Sequence, residues 1–189
     1  MRKLILIRHS LVEVEPSVPT TNWQLSEEGR ARCMPLADSL KRHVPAHIVS
    51  SEEGKAVETA QIVAGQLGLS VEVLGGLQEH DRTGVLYRPN EDEFQRDVAQ
   101  FFANPEKLVM GRETAMEAKE RFADALESAL ARYKEGNVAV VAHGTVISLF
   151  VADRAGLEPY DYWEQLGIPS FTVLSIPEFR LLTTVDRIR

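Results

Sequence analysis

Leu4-Ile5-Leu6-Ile7-Arg8-His9 opens the chain with four aliphatic residues that run into two cationic or titratable ones. Val138-Ala139-Val140-Val141-Ala142-His143-Gly144 repeats that design far downstream. A short continuous apolar run reads as a strand covered on both faces. Amphipathic stretches fill the space between such runs. Residues 26–43 predict a helix, with Ser26 as its cap, Glu27 and Glu28 in its first turn, and Cys33, Leu36, Ala37, Leu40 and Val44 on one face. Pro35 inside that pattern should kink the helix or delay its start. A second strand is expected to end near Ser50, followed by a helix through Ala56, Ala60, Val63 and Leu67 and a third short run at 71–74. Residues 75–104 are less regular and carry one helical patch, Phe94, Val98, Phe101 and Phe102. Thr114 and Glu117 form a capping box that opens a helix bearing Phe122, Ala125, Leu126, Ala129, Leu130 and Tyr133. A further helix follows Gly144, and 171–176 and 181–185 read as closing strands. This alternation predicts an α/β fold, a three-layer α/β/α sandwich around a mostly parallel central sheet, with residues 1–189 as one domain.

The whole chain narrows the function. A formal charge of -7 argues against general nucleic-acid binding, because phosphate backbones attract basic surfaces. It leaves room for a small basic pocket, where local arrangement outweighs net charge. The single cysteine, Cys33, has no disulfide partner within the chain and sits in an apolar neighbourhood, the setting of a buried structural thiol. Its N-terminal apolar run is too short for a secretion signal, and no stretch approaches the roughly 18 apolar residues of a membrane span. The expected setting is the cytoplasm, without membrane partners. No H-x-H, C-x-x-C or clustered-carboxylate spacing suggests a metal, and no cofactor motif is visible.

Arg8-His9 and His143-Gly144 both stand at the ends of predicted strands. In open parallel sheets ligands bind outside the carboxyl ends of strands, so the two pairs are expected to converge. A histidine beside an arginine at that edge suits an anionic substrate. Either histidine alone would as readily be structural; two at equivalent topological positions form a site.

Further segments give these residues a family context. Leu4-Ile5-Leu6-Ile7-Arg8-His9-Ser10 resembles the R-H-G signature of the histidine phosphatase superfamily, the phosphoglycerate mutase-like group. Leu25-Ser26-Glu27-Glu28-Gly29 resembles its L-T/S-x-x-G segment. The stretch from Ser50-Ser51 through Lys55-Ala56 to Thr59-Ala60 resembles S-S-x-x-x-R-A-x-x-T-A. Leu77-Gln78-Glu79 is similar to L-x-E, Gly111-Arg112-Glu113-Thr114 to G-x-E-S/T, and Val141-Ala142-His143-Gly144-Thr145-Val146-Ile147 to V-x-H-G-x-x-I. The matches come in family order across residues 4–147. The resemblance implies a phosphoglycerate mutase-like fold and a metal-independent reaction on a small phosphorylated metabolite. It further implies that His9 is a nucleophile forming a phosphohistidine, that Arg8 and His143 hold phosphoryl oxygens, and that Glu79 serves as acid and then base. Lys55, Ser10, Asn22, Thr145 and Arg82 are the expected substrate-binding residues, and 75–111 the expected substrate-mouth insertion.

The chain departs from the family pattern at three places. Ser10 stands where the signature has Gly, and Asn22 matches a family asparagine only across a lengthened 10–24 segment. Lys55 replaces the second phosphate-binding arginine, keeping the charge but losing the planar fork. Lys55 also has a plainer reading, as an exposed lysine at a helix start. Asp81 is the alternative acid to Glu79, while His80, Tyr87 and Arg88 join Arg82 as candidates for the mouth. His43 and His47, flanking a loop, read as surface residues; Trp23 and Trp163 read as packing, with Trp23 near enough to roof the pocket.

Three activities compete: phosphatase, mutase-type phosphotransferase and non-catalytic phospholigand binder. Family mutases carry longer insertions that keep a phosphorylated intermediate dry, and the short 75–111 segment favours water as acceptor. Glu79 points to a poor leaving group such as an alkoxide, and so to small phosphomonoesters rather than phosphohistidine proteins.

Overall fold

The computed structural model describes residues 1–85, 87 and 89–188. Strand β1 (Arg2–Arg8) is followed by α1 (Glu27–Lys41), β2 (Pro45–Ser50), α2 (Gly54–Leu67) and β3 (Val71–Val73). Helices α3 (Glu91–Ala103) and α4 (Ala115–Arg132) precede β4 (Asn137–Ala142), and α5 (Gly144–Ala155) and α6 (Pro159–Gln165) lead into β5 (Ser170–Ile176) and β6 (Leu181–Val185). The sheet order is β3-β2-β4-β1-β5-β6. Pairings among β1 to β4 are parallel, while β5 runs antiparallel to both β1 and β6.

Alternation along β1 builds the three layers. Leu4 and Leu6 face one core with side chains of α3, α4 and α5, whereas Ile5 and Ile7 face the other with α1 and α2. All four are fully buried, each contributing about 1.5–3 kcal/mol relative to exposure. The two-sided covering explains why the run carries no polar residue.

Local signals hold in detail and fail in a few places. Ser26 accepts from Gly29 N at 3.0 Å, and the Thr114–Glu117 capping box is present in both directions. Helix α1 runs on through Pro35: Ala31, whose carbonyl the proline cannot reach, lies on the exposed side, where water can satisfy it. Val44 does not extend the apolar face of α1. The helix stops at Lys41, and Val44 lies exposed in a turn at φ 47°, a region that disfavours β-branched residues. His43 is buried rather than on the surface, with its ring edge-on to Phe171 of β5 at 5.4 Å. His47 is half-buried and stacked on Tyr133. Cys33 is fully buried, bonded to the Gly29 carbonyl, and burial pushes its thiol up to about 11. Helix α6, which begins with Pro159, is an element the apolar pattern did not show. Among the described residues no helix is long and apolar enough to cross a membrane.

Candidate functional site

The two central strands put His9 and His143 side by side. Arg8 pairs with Ala142 in the parallel β1–β4 ladder, and His9 N extends it with a 3.0 Å bond to the Ala142 carbonyl. The histidine rings lie 5.2 Å apart between centroids. Strand β2 ends beside them, where Ser51 N donates to the Val141 carbonyl. Three carboxyl ends of strands thus supply one floor, as the strand-end reading anticipated.

His9 has a defined tautomer. Its Nδ1 lies 2.8 Å from the Ser10 carbonyl, which can only accept, so Nδ1 carries the proton and Nε2 keeps its lone pair. Burial drives its proton affinity far down, His143, Lys55 and Arg8 add to the effect, and the Ser10 bond opposes it. The ring is neutral at pH 7, with Nε2 the basic atom. His143 is fully buried, and burial lowers its pKa to about 3, helped by Lys55, Arg82 and Arg8 against the opposing pull of Glu79. Its Nε2 lies 2.8 Å from Ser51 Oγ and 3.5 Å from Glu53 Oε1.

Lys55 is buried, not an exposed helix-start lysine, with 6% of its surface accessible. Its ammonium donates to Glu53 Oε2 at 2.6 Å and to the Thr20 carbonyl at 2.7 Å. Arg8 crosses the floor, donating through Nη1 to the Leu166 carbonyl and lying 6.0 Å from the Trp163 ring centroid. A Cβ on Gly144 would stand 2.9 Å from that guanidinium, so the glycine admits the arginine. Burial lowers the Arg8 pKa to about 10, which leaves it cationic.

Glu79 stands over this floor, on the wall made by the loop after β3. Its carboxylate accepts from Thr145 N at 3.2 Å and Val146 N at 3.3 Å, in the first turn of α5, and from His80 N at 3.0 Å. Burial pushes this carboxyl up, but Arg82, His143 and those backbone donors outweigh burial and hold it far below the usual range. Glu79 is therefore ionised at rest. Arg82 packs over the Phe94 ring at 5.1 Å and donates to Thr145 Oγ1 at 3.1 Å, with Nη2 4.0 Å from Glu79.

A second arginine fixes the loop itself. Arg121 of α4 donates to the carbonyls of Gly76, Gln78 and Glu79, and its guanidinium grips both carboxylate oxygens of Glu113 at 2.7 and 2.8 Å. Glu113 in turn accepts from Asp81 N. Gly111, at φ 74°, brings the 111–114 segment so close that a Cβ would stand 1.9 Å from the Asp81 carbonyl.

Other expected residues fall into place or out of it. Thr145 is buried at the floor, bound to Arg82 and Glu79. Ser10 is buried too, but its hydroxyl donates to the Gly29 carbonyl and its N–H to Thr59 Oγ1, so both groups serve the fold. Asn22 is exposed, and Thr20, Thr21 and Trp23 line the cavity at that point. Asp81 is exposed at the rim, and His80 is buried, with Nε2 3.0 Å from the Met110 carbonyl. Tyr87 meets Trp23 edge-on at 5.8 Å, so Trp23 belongs to the wall of the site. Trp163 packs, stacked on Tyr160. Arg88 lies outside the described residues. Glu53, Glu113 and Arg121 are the residues that sequence reasoning left without a role. Glu53 reads as one more acid at a helix start, and Arg121 has no local signal at all.

Glu53, Glu79 and Arg82 face a cavity of about 1250 Å³ walled by Trp23, Val85, Tyr87 and Phe94, while Arg8 lines a neighbouring hollow with Trp163 and Leu166. Among the described residues, the buried nitrogens without a hydrogen-bond partner include Arg8 Nε, Arg82 Nε and His143 Nδ1 of these side chains, and His80 Nδ1. Buried polar atoms are seldom left unpaired, and unpartnered guanidinium N–H groups suit a multivalent anion. The chain belongs to the histidine phosphatase superfamily (branch 1), whose family model matches residues 4–181. A probable phosphoglycerate mutase of Cronobacter sakazakii is 27% identical over 143 residues, 72% of this chain. The match spans 65% of that relative's length. Among solved structures, a phosphoserine phosphatase from Entamoeba histolytica bound to phosphoserine superposes with a TM-score of 0.77 at 21% identity, covering 98% of both chains. A mycobacterial glucosyl-3-phosphoglycerate phosphatase in complex with inorganic phosphate gives 0.74 at 23% identity, covering 100% of this chain and 98% of that one. At such identities these structures speak for the fold.

Proposed function

We propose that the protein is a metal-independent phosphatase that hydrolyses small phosphomonoesters through a phosphohistidine on His9. The carrying observation is the neutral His9, with Nδ1–H committed to the Ser10 carbonyl, Nε2 free to act, and the His143 ring 5.2 Å away. Nε2 attacks phosphorus as the ester P–O bond breaks, and Arg8, Arg82 and His143 hold the phosphoryl oxygens. The leaving oxygen needs a proton, which Glu79 supplies. Glu79 is ionised at rest because Arg82 and the backbone N–H groups of His80 and Thr145 favour its charge; an arriving phosphoryl dianion engages Arg82 and raises the affinity of Glu79 for a proton. After the alcohol departs, the Glu79 carboxylate accepts a proton from water as its oxygen attacks phosphorus. The P–N bond then breaks, phosphate leaves and His9 is restored. Residues 75–111 supply most of the mouth, and their aromatic side chains shape the leaving-group side of the cavity.

A panel of alkyl and aryl phosphomonoesters, assayed with and without chelator, tests this reading. Activity that persists in chelator, with acid-labile, base-stable label on His9 after acid quench, supports it. An enzyme that dies in chelator and recovers with a divalent ion refutes it. The kinship with a probable phosphoglycerate mutase favours one alternative, phosphoryl transfer between hydroxyls. Incubation with 3-phosphoglycerate separates the two: a phosphatase releases inorganic phosphate, a mutase yields 2-phosphoglycerate.

A further inference from the structure

Glu53 ties three parts of the site together. Its Oε2 accepts from Lys55 at 2.6 Å, its Oε1 accepts from Glu79 N at 2.8 Å, and the same Oε1 lies 3.5 Å from His143 Nε2. Both partners of the ion pair are buried, with side-chain exposures of 5% for Glu53 and 7% for Lys55. A carboxylate is an unexpected neighbour for an anion site. It engages the cation that would otherwise face the phosphoryl group, and it repels that group directly across a poorly screened interior.

We propose that Glu53 sets how weakly the site holds a phosphoryl group. It competes with phosphate for Lys55 and adds a fixed negative charge, so phosphate leaves readily and the phosphohistidine is short-lived. This property favours hydrolysis over storage of the phosphoryl group. The inference rests on the reading of the floor as a phosphoryl site. Glu53 acts through Lys55 and through charge and makes no bond to the reacting atoms, which makes it a positioning residue. Its role differs from simple structural support, because removing a structural support would weaken phosphate binding, whereas removing this charge strengthens it.

Glu53→Gln separates the two. The glutamine oxygen can still accept from Glu79 N, while its amide nitrogen cannot accept from Lys55, whose ammonium is freed toward the phosphate. Calorimetric titration of the purified enzyme with inorganic phosphate should show tighter binding in Glu53→Gln by about 10- to 100-fold. Acid-quenched samples taken during turnover of an aryl phosphate should carry a larger labelled fraction than wild type. Equal or weaker phosphate binding in Glu53→Gln overturns the proposal. Should that variant fail to fold, Glu53→Leu, also uncharged, reads the same dissociation constant. Glu53→Asp keeps the charge and should not tighten binding; tightening there as well would overturn the proposal. The titration needs no turnover, so an enzyme that binds phosphate but hydrolyses no ester refutes the phosphatase reading and leaves this comparison intact. An active phosphatase whose Glu53→Gln variant binds phosphate no better removes only the role of Glu53.

Discussion

The floor and the wall of the site are held by different means. His9 and His143 follow directly from hydrogen-bonded neighbours in the middle of the sheet, and backbone ladders fix their positions. Glu79 sits on a loop with no ladder, and side chains fix it: Arg121 on three carbonyls, Glu113 on Asp81 N, and Glu53 on its own N–H. The floor is as rigid as the core beneath it. The wall is as rigid as one half-buried ion pair and the bonds around it. On the proposed mechanism, the groups needing an invariant geometry, the nucleophile and its neighbour, stand on the floor, and the group that exchanges protons stands on the wall.

Removing the nucleophile should have the largest effect. His9→Ala is expected to abolish labelling and lower turnover by roughly 10,000-fold or more. A fully active variant would mean the floor performs no chemistry. Glu79→Gln comes next, with about 100- to 10,000-fold lost on an alkyl phosphate and less on an aryl phosphate with a good leaving group. Equal losses on both substrates would show that the wall contributes shape alone and would shift the proton to Asp81.

Arg121→Met attacks the wall without touching the floor. It strips donors from three carbonyls and leaves Glu113 unpaired, at an expected cost of about 3 kcal/mol in stability. Displacing Glu79 by as little as 1 Å should lower turnover by about 10- to 100-fold, since misplacement of a reacting group costs on that scale. Denaturant midpoints and turnover measured together, with partial rescue by Arg121→Lys, would check both effects. Loss of stability with unchanged turnover would mean the loop stays in place without its clamp.

The floor is also read from pH. His9 and His143 bind a proton more weakly in the folded than in the unfolded chain. As pH falls below about 6.5 the unfolded chain takes up protons first, so stability present above that pH declines, by up to about 1.4 kcal/mol per pH unit for each group. Thermal midpoints from pH 7.5 to 4.5 should fall accordingly, and His9→Gln should flatten the slope. An unchanged slope would place the titration elsewhere, in His43 or His80, which burial also lowers.

The difference between floor and wall also governs what could be read from the sequence. The strands were legible because burial on both faces leaves uninterrupted aliphatic runs, and His9 and His143 were legible because they end those runs. Thr114 and Glu117 declared their helix start through a contact three residues long. Glu53, Glu113 and Arg121 did not, because their partners lie up to 45 residues away and no spacing encodes them. His43 looked exposed because the strand that covers it, carrying Phe171, arrives late in the chain. Val44 kept the helical period on paper after the helix had stopped at Lys41. Lys55 showed its charge in the sequence but not its engagement with a glutamate two residues before it.

Helix α5 starts without a capping side chain of its own, since His143 at its N-cap makes no such bond. Oxygens from Glu79, more than sixty residues earlier in the chain, receive the first N–H groups of that helix instead. The acid is thus also a borrowed cap. On the proposed mechanism each protonation of Glu79 would loosen the end of a helix, and the amide protons of Thr145 and Val146 should report turnover through their exchange with solvent.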